Sequence, residues 1–306
     1  MKIICAGCTK MFNAATAGSC LSWHDVPELV NPVFIAGFHG WSNAGSVSSE
    51  TLEHLIEKLK PRAFAELIQE PFVDFTLDRP IGQMEDGVIE TLESLVTELF
   101  YWHNTDGGRD LILMLAKEPH LGWPTFARTV LDVMLKLKAS RLFSIGGVQD
   151  TVSHYAPPVI SVVGSSPYIV SATSSLDDVI RPAQYFGPVS IHSYLIHTCS
   201  AAGLEAVSLW GHVPAYLQKG PRMVARIVGI LNKAIGLRCP VEQLHQRAIE
   251  FDRRIQEALA KDPNLRQLVE ALERETAPSA SAPKSDDKVI RLNDFLRKGS
   301  HDDPKR

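Results

Sequence analysis

PVFIAGFHGWSNAG, residues 32–45, reads as a buried strand running into a glycine-rich turn. Val33, Phe34, Ile35 and Ala36 form the short apolar run that predicts the strand. Gly37, Gly40 and Gly45 follow, with Trp41 and Asn43 between them. Beyond the turn, Leu52, Leu55, Ile56 and Leu59 recur at helical spacing. A strand–turn–helix unit puts the turn at the carboxyl end of the strand, where open α/β sheets hold their ligands. Glycine allows close approach to the backbone, and a helix amino terminus offers free N–H groups, so an anion or carboxylate could sit there. The same residues equally describe a tight structural turn with Trp41 as a packing wedge. The spacing is not G-x-G-x-x-G. Gly40 to Ser46 has the outline of a phosphate loop, but Val47 follows and the lysine is missing.

Working outward, Ala63–Ile68 predicts a second strand. Arg79 lies in the segment after it, and its forked guanidinium suits a carboxylate or phosphate. The other reading is an ion pair with Asp74 or Asp78. Residues 84–102 suit a helix through Leu92, Leu95, Val96, Leu99 and Phe100. They suit strands through Val88, Ile89 and Leu99–Trp102, and both readings stay open. Asn104–Gly108 is a loop. Asp110–Lys117 predicts a buried strand that ends in Glu118-Pro119-His120. Trp123-Pro124 then opens a helix with the stripe Phe126, Val130, Met134 and Leu137, and Arg141–Val148 is the next strand. Such a βαβ unit predicts parallel strands joined by a right-handed crossover. Glu118 and His120 lie at a strand's carboxyl end, as an acid–base pair or as solvated surface.

Gly146-Gly147 leads to Asp150, His154 and Tyr155. Val159–Gly164 predicts a strand, and residues 165–179 read as a polar, irregular connection. Ile191–Ala202 reads as a helix closed by Gly203, and Leu204–Trp210 as the strand after it. His192 and His197 are five apart and do not share a helical face, which argues against a two-histidine metal site. Apolar stripes at Val224, Ile227, Val228, Leu231 and Ile235, then at Leu244, Ala248, Phe251, Ile255 and Leu259, predict helices. Asp262-Pro263 caps a last one through Leu265, Leu268, Val269 and Leu272.

The chain has 306 residues, 45% hydrophobic and 22% charged, within the ordinary range of globular proteins. A net charge of −4 argues against nucleic acid as the main partner. No apolar run is long enough for a membrane helix, and residues 1–19 lack the sustained core of a signal peptide. Cytoplasmic location is the expectation. Cys5-x-x-Cys8 could be half a zinc site or a redox pair, but no second C-x-x-C exists. Cys5, Cys8 and Cys20 read instead as free thiols in a reducing compartment. G-x-S-x-G and H-E-x-x-H are absent.

GFHGWSNAG, residues 37–45, resembles the opening signature of the PAC2 family, whose bacterial and archaeal members often carry G-F-x-G-W-x-D-A-G. Asn43 stands where many relatives have an acid. Phe72, Phe75, Arg79 and Pro80 resemble a further family segment, as do Glu118, Pro119, Trp123 and Phe126. His154 resembles the histidine of a P-H-x-R-like element, with Ser153 and Ala156 replacing proline and arginine. Tyr185, Gly187 and Pro188 are similar to the family's Y-x-G-P, and Val207–Trp210, Pro214 and Tyr216 to its v-S-L-W-x-x-x-P-x-Y. The resemblance covers about residues 21–275, and over residues 84–102 it favours a hairpin.

The resemblance implies an α/β fold of three layers around a mainly parallel sheet, phosphorylase/hydrolase-like, with a helical carboxyl-terminal extension. The expected organisation is a poorly ordered leader over 1–20, the α/β domain over 21–240 and a helical pair over 241–275. A flexible linker follows over 276–288, then a short amphipathic tail over 289–306. The implied function is a non-catalytic, chaperone-like assembly or interaction protein forming a homo-oligomer, taken as a trimer. Val289, Leu292, Phe295 and Leu296 of the tail are the expected contacts with a protein partner. Some relatives dock into proteasome pockets through a hydrophobic–Tyr–X terminus, whereas this chain ends Pro304-Lys305-Arg306. The alternative is a small-molecule hydrolase, phosphorylase-like enzyme or ligand sensor with an anion-friendly pocket at the sheet's carboxyl edge. That pocket would draw on Gly37, Phe38, Gly40, Trp41, Asn43, Gly45, Arg79, Glu118, His120, Trp123, His154, Ser208 and Trp210. No catalytic residue, cofactor, metal, nucleic acid or membrane is expected.

Overall fold

The strand expected from residues 33–36 lies at the centre of a large sheet, buried on both faces. In the computed structural model, which describes residues 3–5, 20–93 and 95–276, the chain opens with β1 (Ile3–Cys5), β2 (Leu21–Trp23) and β3 (Val33–His39). Then come α1 (Val47–Leu59), β4 (Arg62–Ile68), β5 (Gly82–Glu85), β6 (Val88–Glu93), β7 (Val96–Trp102), β8 (Leu111–Lys117) and α2 (Trp123–Lys136). They are followed by β9 (Arg141–Asp150), β10 (Ile160–Gly164), α3 (Pro167–Ser174), β11 (Ile180–Pro182), α4 (Ile191–Ala201) and β12 (Glu205–Pro214). Helices α5 (Pro221–Ile235), α6 (Glu242–Lys261) and α7 (Pro263–Thr276) complete the described chain. The linker and tail expected beyond residue 276, and most of the leader, lie outside the described residues.

The main sheet has the order β11-β10-β12-β9-β3-β8-β7-β4-β2. Its centre, β12-β9-β3-β8, is parallel. β7, β4 and β2 extend it antiparallel on one side, and β10 pairs antiparallel with β12 on the other. β8 and β9, joined through α2, are parallel as expected, with β3 inserted between them.

Alternation along the central strands divides the core between the two faces. Val33, Ile35, Leu111, Leu113, Phe143 and Ile145 pack with Leu52 and Leu55 of α1 and Val224, Ile227 and Val228 of α5. Phe34, Ala36, Phe38, Ile112, Met114 and Leu142 pack with Phe126 and Val130 of α2 and Ile191 and Leu195 of α4. Strands buried on both sides read as continuous apolar runs, which is why β3, β8 and β9 are so plain in the sequence. A Cβ at Gly37 would lie 2.5 Å from Leu52, so its absence lets α1 close onto β3.

Residues 84–102 form strands. β5 and β6 are joined by Asp86-Gly87, both at positive φ, the two-residue turn whose twist matches a hairpin. β1 adds to the other edge of β6. The expected irregular connection over 165–179 is corrected by α3. Ser166 caps it by accepting from the Ile169 N–H at 3.3 Å, and Pro167 occupies its first turn. The helix has eight residues, of which only Ile169 and Thr173 are buried, so it shows no apolar stripe.

Gly147 of β9 faces the turn after β3. A Cβ there would meet the Ala44 carbonyl oxygen at 2.2 Å, and the Gly147 N–H donates to the Ser42 carbonyl at 2.8 Å. Gly147→Ala is expected to cost about 2 kcal/mol or more through this backbone clash, read as a lower urea midpoint with unchanged slope.

Candidate functional site

The glycine-rich turn is built to hold itself and one neighbouring carboxylate. Gly40, at φ +118°, brings the turn against Glu118; a Cβ there would lie 3.1 Å from that residue's own Cβ. Glu118 Oε2 accepts from the Ser42 N–H and hydroxyl, both at 3.3 Å. Its Oε1 accepts from the N–H of Ile191, the first residue of α4, at 3.2 Å. One carboxylate at the end of β8 thus ties the turn to a helix amino terminus, where negative charge is favoured.

Behind Ser42 runs a buried polar chain. His192 Nε2 lies 3.2 Å from Ser42 Oγ, His192 Nδ1 lies 3.4 Å from Ser208 Oγ, and Ser208 Oγ lies 2.7 Å from Ser144 Oγ. One proton order satisfies every member: Ser144 donates to Ser208, Ser208 to His192, His192 to Ser42, and Ser42 to Glu118. Ser42 is 1% exposed, while His192, Ser144 and Ser208 are fully enclosed. Phe38 meets the His192 ring edge-on at 5.1 Å, and Trp210 covers it at 4.7 Å. Burial in this apolar box pushes the His192 pKa from 6.5 down to about 3, so the imidazole is neutral. In this proton order Ser42 gives its proton to Glu118 and accepts from His192. The arrangement is that of a closed polar spine.

The donors of Asn43 and Ser46 in the turn go to protein acceptors. Asn43 Oδ1 accepts from the Ser49 N–H, and Asn43 Nδ2 donates to Ser49 Oγ, both at 3.0 Å. The Asn43 N–H goes to the Gly40 carbonyl and the Ser46 N–H to the Asn43 carbonyl. An aspartate could accept from Ser49 in the same way, so Asn43 keeps the capping role without the charge. Gly45, at φ +61°, bonds through its carbonyl to the Gly220 N–H at 2.9 Å, which fastens the turn to the start of α5. Trp41 points outward and is 71% exposed.

Of the residues expected to form a pocket, Phe38, Gly40, Glu118, Ser208 and Trp210 meet in this spine, and Trp41 and Asn43 flank it. Gly37 lies below it in β3. Trp123 bonds through Nε1 to the Pro119 carbonyl at 2.6 Å and meets Tyr194 edge-on at 5.5 Å. His120 turns instead to the preceding loop, where its Nδ1 accepts from the Asp74 N–H at 3.1 Å. Arg79 is exposed, and among the described residues it joins neither Asp74 nor Asp78. Asp78 pairs with Lys117 at 2.9 Å and Asp74 with Thr76, so the expected ion pair of Arg79 with either aspartate is not formed. His154 lies elsewhere, its Nδ1 2.6 Å from the Tyr216 hydroxyl and its carbonyl accepting from Arg222. The cleft beside it has a volume of about 60 Å³. No group of three or more His, Cys, Asp or Glu among the described residues could hold a metal ion.

Ser42, Ser144 and His192 were not singled out as site residues. One signal was present: Ser144 and Ser208 interrupt two apolar strands, and the register sets them side by side.

His192 gives a pH signature. Its folded pKa lies below its unfolded value, so the unfolded chain binds the extra proton between about pH 6.5 and 3, and stability falls as pH drops through that window. From pH 7 to pH 5 this group alone removes about 2 kcal/mol. His39, whose pKa is also lowered by burial, acts in the same sense. His192→Gln keeps hydrogen-bonding capacity and is expected to flatten the slope by about that amount in urea titrations at the two pH values.

The profile of the PAC2 family matches residues 37–259. The chain is similar to a PAC2 family protein from Streptomyces avermitilis, at 28% identity and a TM-score of 0.66, over 74% of this chain and 95% of that one. It is similar to a proteasome-assembly chaperone homologue from Mycobacterium tuberculosis, at 25% identity and a TM-score of 0.68, over 75% and 96%. It shares its fold with an archaeal proteasome activator from Pyrococcus furiosus, at 21% identity and a TM-score of 0.64, over 78% and 97%. No curated protein matches the chain. The family match spans well over half of the sequence and includes the turn, Glu118, His192, Ser208 and Trp210; this chain belongs to the PAC2 family.

Proposed function

We propose that this protein is a chaperone-like assembly protein, in a role that needs no catalysis, and that it works in the cytoplasm as a homo-oligomer, taken as a trimer. The observation that carries the reading is a set of exposed apolar side chains on segments that Glu118 ties together. Trp41 is 71% and Phe186 98% exposed, Tyr185 and Val189 are exposed close to Phe186 in sequence, and Leu121 is exposed three residues after Glu118. Glu118 bonds Ser42 and Ile191, so the turn bearing Trp41 and the segment bearing Phe186 and Val189 are fastened to one carboxylate. Exposed large apolar groups held on a rigid frame suit protein contact better than solvent. The β5–β6 hairpin adds Met84, Val88, Ile89 and Leu92, all exposed. A hairpin with so little cover is marginal alone and gains by packing on another surface.

Two relatives bear on the partner. The Mycobacterium tuberculosis protein is a proteasome-assembly chaperone homologue and the Pyrococcus furiosus protein a proteasome activator. By analogy this chain assists the assembly or activity of a protein complex. Its tail, with Val289, Leu292, Phe295 and Leu296, is the segment proposed to reach that partner. Free Cys20, Cys199 and Cys239 fit a reducing compartment.

Native mass spectrometry of the protein purified gently from its own cells tests the reading. An oligomer carrying a co-purifying protein, lost on deletion of residues 277–306, supports both the assembly and the tail's role. Phe186→Asp combined with Trp41→Ser is expected to weaken self-association at least about 10-fold. A wild-type protein that remains monomeric at micromolar concentration would overturn the oligomer.

A further inference from the structure

A second histidine cluster lies at the same edge of the sheet, outside the spine. His212 of β12 lies between Asp150, at the end of β9, and Ser161, near the start of β10. His212 Nδ1 is 2.6 Å from Asp150 Oδ2, and His212 Nε2 is 2.7 Å from Ser161 Oγ. The three side chains come from three neighbouring strands, and they are half-buried: the His212 side chain is 17% and that of Asp150 38% exposed.

We propose that Ser161, His212 and Asp150 form a nucleophilic relay that hydrolyses short carboxylic esters, an activity independent of the assembly role. Burial alone would raise the Asp150 carboxyl, but bonds from His212 and Thr151 outweigh it and hold the group below the usual carboxylate range. An ionised Asp150 keeps the proton on His212 Nδ1. Nε2 is then the acceptor facing the Ser161 hydroxyl, the tautomer that a general base needs. Asp150 is itself oriented, since its Oδ1 accepts from the Thr151 N–H at 2.7 Å. One neighbour suits an ester. Trp210 lies directly across the β10–β12 pair from Ser161 and offers an apolar wall to an acyl chain. Arg181 lies beside Ser161 in the parallel β10–β11 register, but its guanidinium donates to the Asp178 and Ile180 carbonyls and is not counted in the relay.

The steps balance without a further reagent. Ser161 Oγ forms a bond to the ester carbonyl carbon as its proton passes to His212 Nε2. Collapse breaks the ester C–O bond, and that proton leaves with the alcohol. Water then attacks the acyl-serine by the same route, which releases a carboxylic acid and restores the serine. The buried spine offers no such route, because Ser42 is enclosed and its proton is directed to Glu118.

A fluorophosphonate probe on the full chain, followed by peptide mass spectrometry, is expected to place the adduct on Ser161. Hydrolysis of 4-nitrophenyl acetate is expected to fall at least about 100-fold in Ser161→Ala. Asp150→Asn preserves the shape of the cluster and reverses the imidazole's preferred tautomer, so a similar fall is expected while the thermal midpoint stays close to that of the parent. No adduct, an adduct on another serine, or hydrolysis unchanged in both variants would overturn the proposal.

Discussion

The carboxylate of Glu118 is the point on which the upper edge of this fold depends. It accepts from a turn, through Ser42, and from the first N–H of α4. A hydrogen bond to a charged group contributes roughly 1.5–3 kcal/mol, and here the partners come from two separate parts of the chain. Without that acceptor, the Ser42 N–H and hydroxyl would be buried without it, and α4 would lose its charged cap. The glycine-rich turn can be tight because the donors of Ser42, Asn43 and Ser46 already have acceptors. The β3–β9 junction is closed in the same way: Ser48 accepts from the Phe38 N–H at 2.8 Å and donates to the Ile145 carbonyl at 2.5 Å.

From that point a line of hydroxyls and one imidazole crosses the sheet to Ser144. Such a line is favourable only when every member is paired, since an orphaned polar group in this setting costs about 1–3 kcal/mol. The same demand fixes relative strand positions. Ser144 and Ser208 meet because β9 and β12 run in register, and a slip of one residue would send one of them to the opposite face. The polar spine therefore specifies register in strands whose apolar residues alone would tolerate several alignments.

These facts explain what could be read from the sequence. The central strands and the helices α1, α2, α5 and α6 were legible, because burial on two faces or on one stripe leaves a plain pattern. Over residues 84–102 the apolar residues fit both periods, and the decisive Asp86-Gly87 turn lies in two residues outside any pattern. α3 was missed because a short helix with two buried residues shows no stripe. At the site, Glu118, Ser208 and Trp210 were legible as chemistry-bearing residues at strand ends. Ser42 and His192 were not, because they are separated by 150 positions and meet only through the topology. His120, Arg79 and His154 were grouped with Glu118 by their place near strand ends, but the loops that carry them turn elsewhere.

His192 and His212 show how one residue type takes two roles from its surroundings. His192 lies between Phe38 and Trp210, with hydroxyls at both nitrogens, so nothing in its box favours the charged ring. His212 has a carboxylate at one nitrogen and a serine hydroxyl at the other, with part of its surface open to water. Trp210 stands between them, packed on the first ring and paired across the strands with Ser161. It also covers Gly146, where a Cβ would lie 2.6 Å from the indole. The v-S-L-W pattern does not reveal this place of the indole. It packs over the neutral histidine, and two residues further along the same face the second histidine keeps part of its surface open to water, where a proton can move.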